Sequence, residues 1–182
     1  PLPAQNMGEE REERRRTIAE RCEMAADLVS GTGEPFVIWC HLNAEGDALA
    51  RLLGGAARQV SGSDSVEVRE DAYEAFASGS VRGLVIKPKI GAWGLNWQHC
   101  NHVVTFASHS YEQHYQAVRR CWRFGQKRPV TVDLVVTEGE RGVRENLRRK
   151  SEAADRMFSE LVAHMGEAMR LDGRAKYTKA VE

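Results

Sequence analysis

Residues 116–126 read Gln-Ala-Val-Arg-Arg-Cys-Trp-Arg-Phe-Gly-Gln, and residues 119–128 carry five basic side chains, Arg119, Arg120, Arg123, Lys127 and Arg128, with no acidic one among them. In a chain whose formal net charge is zero, that concentration suits an anion. Ser110, followed three residues later by Gln113, has the form of a capping box and predicts a helix from there, with Gly125 and Pro129 as its stop. On a helix turning about 100° per residue, Gln116, Arg120 and Arg123 fall within roughly 60° of one another. Tyr111, Tyr115, Val118 and Trp122 have the spacing of a separate packing stripe, so Trp122 is expected to be structural. A solvated face is the ordinary explanation of a charge run. The register weakens that explanation here, because two guanidiniums offset from the apolar stripe can meet one phosphate.

The other clusters of potentially reactive side chains are weaker candidates. His99, His102 and His109 do not share a helical face and no carboxylate accompanies them, so no metal site is expected. The four cysteines, Cys22, Cys40, Cys100 and Cys121, are scattered without a Cys-x-x-Cys pair, which supports neither a zinc site nor a disulfide framework. Cys40 and Cys100 border apolar runs, where a buried free thiol is the ordinary role. A hydrophobic content of 42% with 29% charged residues is that of a soluble globular domain, and the chain's 182 residues suffice for one good core. No apolar run has the length of a membrane span, and the charged residues 9–16 are unlike a signal peptide, so a cytoplasmic protein is expected. Zero net charge argues against coating nucleic acid by charge alone, while leaving room for a local basic track.

The elements that must position these residues alternate along the chain. Residues 9–29 predict an amphipathic helix with a stripe of Ile18, Cys22, Ala25, Ala26 and Val29. Phe36-Val37-Ile38-Trp39-Cys40 reads as a strand buried on both faces. A helix follows over 43–53, capped by Asn43 and stopped by Gly54-Gly55. A weaker strand over 57–60 and a turn at Ser61-Gly62-Ser63-Asp64 lead to a helix over 65–77, expected to bury Val68, Ala72, Tyr73 and Phe76. Strands are expected at 83–86, 101–106 and 130–136, with 87–98 as a loop punctuated by Pro88, Gly91 and Gly94. From Glu140 the chain predicts a long charged helix with apolar positions Val143, Leu147, Met157, Phe158, Leu161, Val162 and Met165, fraying from about Arg170. Strands alternating with helices imply an α/β fold: a mostly parallel sheet of five or six strands with helices on both faces. In such sheets the ligand site forms beyond the carboxyl ends of the strands, where 41–43, 87–98 and the approach to Ser110 all fall.

Three segments, in order, resemble the second RecA-like lobe of superfamily 2 helicases, of the Snf2-like group carried by phages and prophages. Residues 36–41 look like its motif IV. Ile90-Gly91-Ala92-Trp93-Gly94-Leu95-Asn96 looks like its motif V, although Ile90 and Ala92 replace small or glycine positions and Lys87-Pro88-Lys89 stands where the group often has Ser-Thr-Arg. Gln116, Arg120, Arg123, Gly125 and Gln126 match the Gln-x-x-x-Arg-x-x-Arg-x-Gly-Gln form of motif VI. The resemblance implies a three-layer RecA-like fold in 34–138, an N-terminal helical extension in 1–33 and a C-terminal helical extension in 139–182.

It also implies a function. Neither Gly-x-x-x-x-Gly-Lys-Ser/Thr nor an Asp-Glu-x-His-like segment occurs, and in this family both belong to a first lobe. The chain is thus expected to be half of an ATP-dependent DNA helicase or translocase, with ATP and Mg2+ held mainly by the first lobe and no ATP hydrolysis of its own. By the same resemblance Arg123 is the arginine finger, Arg120 the second γ-phosphate contact, and Gln116 a group that helps orient the site. Gly91, Gly94, Asn96 and Gln126 fall at nucleotide-side positions, and Lys87, Lys89, Asn43 and Ser61 are candidates for phosphates of a DNA strand or duplex, without sequence readout. Asn43 as a helix cap and Ser61 as a turn residue stay open beside this, as do Trp93 and Trp97 as base-stacking platforms or, for Trp97 preferably, core. Two further readings stay open: a non-catalytic nucleic-acid or protein binding module with a RecA-like fold, and an RNA helicase lobe.

Overall fold

In the computed structural model, residues 7–91, 95–108, 110–140, 142–157 and 159–160 are described. The sheet has five strands, β1 (Phe36–Trp39), β2 (Ala57–Val60), β3 (Gly83–Ile86), β4 (His102–Phe106) and β5 (Thr131–Val135), in the order β2-β3-β1-β4-β5. Every pairing is parallel. Central β1 aligns Phe36 with Gly83 on one side and His102 on the other. Such an arrangement needs crossovers that place helices on the faces.

Alternation of side chains along the strands divides the core in two. Phe36, Ile38, Cys40, Val85, Val104 and Phe106 face one way and meet Cys22, Ala25, Ala26 and Val29 of α2 (Ile18–Ser30) and Leu49 and Leu53 of α3 (Asn43–Leu53). Val37, Trp39, Leu84, Ile86 and Val103 face the other way and meet Ala72 and Phe76 of α4 (Val66–Ala77), together with Trp97, Cys100, Ala117 and Cys121. Each fully buried apolar side chain of this kind contributes about 1.5–3 kcal/mol. The RecA-like three-layer expectation is met, with five strands.

Several boundaries differ from the sequence expectation. The N-terminal helix is interrupted at Thr17, giving α1 (Met7–Arg16) before α2. The Thr17 hydroxyl donates to the Glu13 carbonyl at 2.7 Å and accepts from Arg21 Nε at 3.2 Å, so the break seats a buried arginine. The stretch after β3 is partly helical, forming α5 (Pro88–Gly91). The cap of α3 is Leu42, with Asn43 as the first helical residue; the Glu45 carboxylate occupies the capping role by accepting the His41 and Leu42 amides. Val68 is exposed, because α4 turns its first residues to solvent, and Val66 beside it is exposed too. Residues 142–157 are helical; Val143 and Leu147 are buried and Met157 is exposed. Phe158, Leu161, Val162 and Met165 lie outside the described residues. No helix among the described residues is long and apolar enough to cross a membrane.

Candidate functional site

α6 begins at Tyr111, where the Ser110 hydroxyl accepts from the Gln113 amide at 3.2 Å as the capping box predicts. It ends at Val118, seven residues short of Gly125. Residues 119–125 run through turns and a bend. The amides of Arg119 and Trp122 still bond back four residues, to Tyr115 and Val118, while those of Arg120 and Cys121 bond back three, which tightens and ends the helix. A single helical face bearing Gln116, Arg120 and Arg123 is therefore not formed, and Trp122 is 54% exposed instead of packed. The competing influence is Gly125: its φ of +97° reverses the chain, and the residues before it form a turn.

What fixes this turn is Gln126. Its side-chain amide donates toward the carbonyls of Gln98 (3.0 Å), Cys100 (3.0 Å) and Cys121 (3.2 Å), and its oxygen accepts from the Arg128 amide. Gln98 in turn donates to the Phe124 carbonyl. The arginine segment is thus fastened to residues 95–101, which lead into the amino end of β4. Gln126 holds the segment in shape, and its amide nitrogen is committed internally.

The five cations do not act alike. Arg128 is paired with Glu34 and donates to the His99 carbonyl at 2.7 Å, so it ties the fold together. Arg119 lies 5.7 Å from the Tyr115 ring centroid and 5.3 Å from that of Trp122. Arg120 is 9% exposed; its Nη1 donates to the Leu95 carbonyl at 3.3 Å, and its Nε is buried without a hydrogen-bond partner among the described residues. Burial, and then the charge of Arg123, push the Arg120 guanidinium below its ordinary pKa. Arg123 and Gln116 are exposed, as are Lys127 and Asn96. A desolvated guanidinium with an unmet donor, repelled by a second one facing solvent, is a cationic pair that an anion would stabilise. This donor set fits a polyphosphate.

A second group lies beyond the carboxyl ends of the strands. Lys87, just past β3, donates through Nζ to the Asn43 side chain, just past β1. Lys89 is exposed on α5. Past β2, the Ser61 amide donates to Asp64 and its hydroxyl meets that of Ser63 at 3.1 Å, which makes Ser61 a turn residue. Gly91 closes α5, and Gly94 and Trp93 lie outside the described residues. Trp97 is core, with ring centroids 5.8 Å from Trp39 and 5.7 Å from Phe76. Its amide donates to the Arg120 carbonyl at 3.0 Å, so the core carries the arginine segment directly. The carboxyl-edge group and the arginine segment are thus held by separate sets of contacts.

Sequence reasoning missed the buried support behind this edge. Arg21 Nη1 donates to Glu45 Oε1 at 2.8 Å, Nη2 donates to the Arg14 carbonyl, and the guanidinium lies 4.9 Å from the Phe106 ring centroid. The available signal was Arg21 itself, a cation placed inside the apolar stripe of α2.

Residues 20–125, more than half of the chain, match the helicase conserved C-terminal domain, and the chain belongs to that family. Over 83 residues, 44% of the chain, it is 37% identical to the bifunctional helicase and thymine dioxygenase JBP2 of Leishmania infantum, and equally to that of Leishmania tarentolae. The matched part spans 8% of the length of these relatives. Among solved structures it is similar to the C-terminal part of the Fun30 ATPase domain, with a TM-score of 0.62 and 19% identity, covering 70% of this chain and 44% of that one. The C-terminal domain of a Saccharomyces cerevisiae Dbp5 variant, solved with Gle1 and IP6, gives a TM-score of 0.63 at 13% identity, covering 74% of this chain and 80% of that one. These two likenesses are likenesses of fold, the RecA-like sheet and its flanking helices.

Proposed function

We propose that this chain is the C-terminal lobe of an ATP-dependent DNA helicase or translocase of the Snf2-like, phage or prophage type, and that it completes an ATPase site whose nucleotide is held mainly by a first lobe. The observation that carries the reading is the pairing of exposed Arg123 with buried, incompletely satisfied Arg120. When bound, ATP with Mg2+ supplies a γ-phosphoryl group on which charge redistributes during transfer. Arg120, seated on the Leu95 carbonyl and the Trp97 platform, presents a fixed positive charge. Arg123, free of burial, is the group that arrives when the lobes close, and a finger of this kind contributes about 10³- to 10⁵-fold in rate. Gln116 orients the site from α6. Lys87, Lys89 and Asn43 contact the phosphates of DNA at the carboxyl edge, and the segment from Lys87 to Asn96 couples the two places.

The test joins this chain to its nucleotide-holding lobe. DNA-stimulated ATP turnover is expected, with Arg123→Ala lowering it by about 10³-fold or more while ATP affinity stays within a few-fold. An Arg123→Ala protein with normal turnover would sink the assignment.

A further inference from the structure

Around Arg123 the surface is aromatic as well as basic. Phe124 is wholly exposed, Trp122 is 54% exposed and Tyr115 is 40% exposed. The Tyr111 and Tyr115 rings lie with centroids 6.0 Å apart and planes tilted by 33°, and the Arg119 guanidinium lies over both Tyr115 and Trp122 at 5.7 and 5.3 Å. Three rings and one guanidinium thus follow one another at spacings of 5.3–6.0 Å. Arg119 lies over the Trp122 ring, yet more than half of the Trp122 surface is exposed.

The exposure is built in. The Phe124 carbonyl accepts from Gln98, the Arg123 carbonyl accepts from the Gln126 amide at 3.0 Å, and the Gln126 side chain locks the turn, so the ring has no route into the core. An apolar ring held in water beside cations calls for a ligand that is flat, apolar on its faces and anionic at its edge.

We infer that Trp122, Phe124 and Arg119 form a stacking site for a nucleobase carrying phosphate. A purely apolar protein surface would match Phe124 and leave Arg119 and Lys127 unmatched; a phosphate-bearing base satisfies both. The inference rests on the proposed function in so far as Arg123 brings phosphate to this place. Two sources share the chemistry: the base of a nucleoside triphosphate and a base of a single strand.

The test follows the indole N–H resonance of Trp122 in the isotope-labelled chain, identified by its loss in Trp122→Phe. Four probes are titrated: ATP, inorganic tripolyphosphate, a single-stranded oligothymidylate and an abasic strand of equal length. A base-bearing probe should shift the Trp122 resonance severalfold further than its base-free counterpart at equal occupancy. Phe124→Ala should weaken that probe by roughly five- to hundredfold. A response to ATP above tripolyphosphate makes the nucleotide the source; a response to oligothymidylate above the abasic strand makes it the strand. Equal shifts with and without the base, or no shift with any probe, overturn the stacking site. Arg123→Ala separates the two proposals: it should weaken tripolyphosphate, and an unchanged affinity there counts against the phosphate role of Arg123 while leaving any base-dependent difference at Trp122 standing.

Discussion

Arg21 and Glu45 form an ion pair at 2.8 Å with only 2% and 1% of their side chains exposed. The second carboxylate oxygen accepts the amides of His41 and Leu42 at 2.8 and 2.9 Å, so one buried charge pair joins α2 to the loop that begins α3. Removing one member of such a pair strands the other. Glu45→Ala is expected to cost about 3–5 kcal/mol in urea unfolding. The double variant Arg21→Met, Glu45→Leu should recover part of this. It cannot recover all, because the two amides lose their acceptor, at about 1–3 kcal/mol.

The same loop carries Asn43, to which Lys87 is bonded. If these residues meet DNA phosphates, Lys87→Ala and Lys89→Ala in the joined two-lobe protein should weaken binding similarly across sequences. Each should flatten the dependence of log K on log salt by about one. An unchanged salt slope in both would remove them from the interface. Asn43→Ala is expected to act more weakly, through the position of Lys87.

Stability should depend on pH through three histidines. Burial lowers the pKa of His41, His99 and His114 below the ordinary 6.5; the Phe106 and Phe76 carbonyls partly offset it for His41 and His99, and the charge of His41 adds to it for His114. Below about pH 6.5 the unfolded chain therefore binds more protons than the folded one, and stability falls as pH falls through the window between 6.5 and the depressed folded values. Urea midpoints from pH 8 to 5 should be level above 7 and decline below it. His114→Gln should shallow the decline, and an unaltered slope would contradict the assignment.

Gly125 has a φ of +97°, and a Cβ there would approach the Gln98 amide at 3.0 Å. Gly125→Ala should cost about 1 kcal/mol or more, read as a lowered unfolding midpoint. It should also broaden the amide resonances of Phe124 and Gln126, since Gln98 is the donor to the Phe124 carbonyl.

The fold was legible because β1, β3 and β4 are short apolar runs between glycine, proline and polar breaks, and their lengths leave room for little else. The capping of α6 by Ser110 was legible too, being a local contact between residues three apart. Its end was misread: periodicity continues through Trp122, whereas the backbone obeys Gly125 and the latch from Gln126 to 98 and 100, contacts across 26 and 28 residues that no local pattern encodes. Of the candidate site, the types and positions of Arg120 and Arg123 were readable, but their division into one buried and one exposed guanidinium was not. The side-chain partner of Asn43 is Lys87, again a long-range contact that no local pattern encodes.

The strand order also bears on how the chain is made. β1 precedes the other four strands of this sheet in the chain, yet its neighbours are β3 and β4. Until those segments emerge, a fully apolar strand has both hydrogen-bonding edges open, and β2 cannot shield it because β2 itself pairs only with β3. Non-local parallel pairing of this kind is slow and leaves edges available to other chains. Within this sheet, the strand nearest the amino terminus is completed only after a helix, an edge strand and a second helix have followed it in the chain.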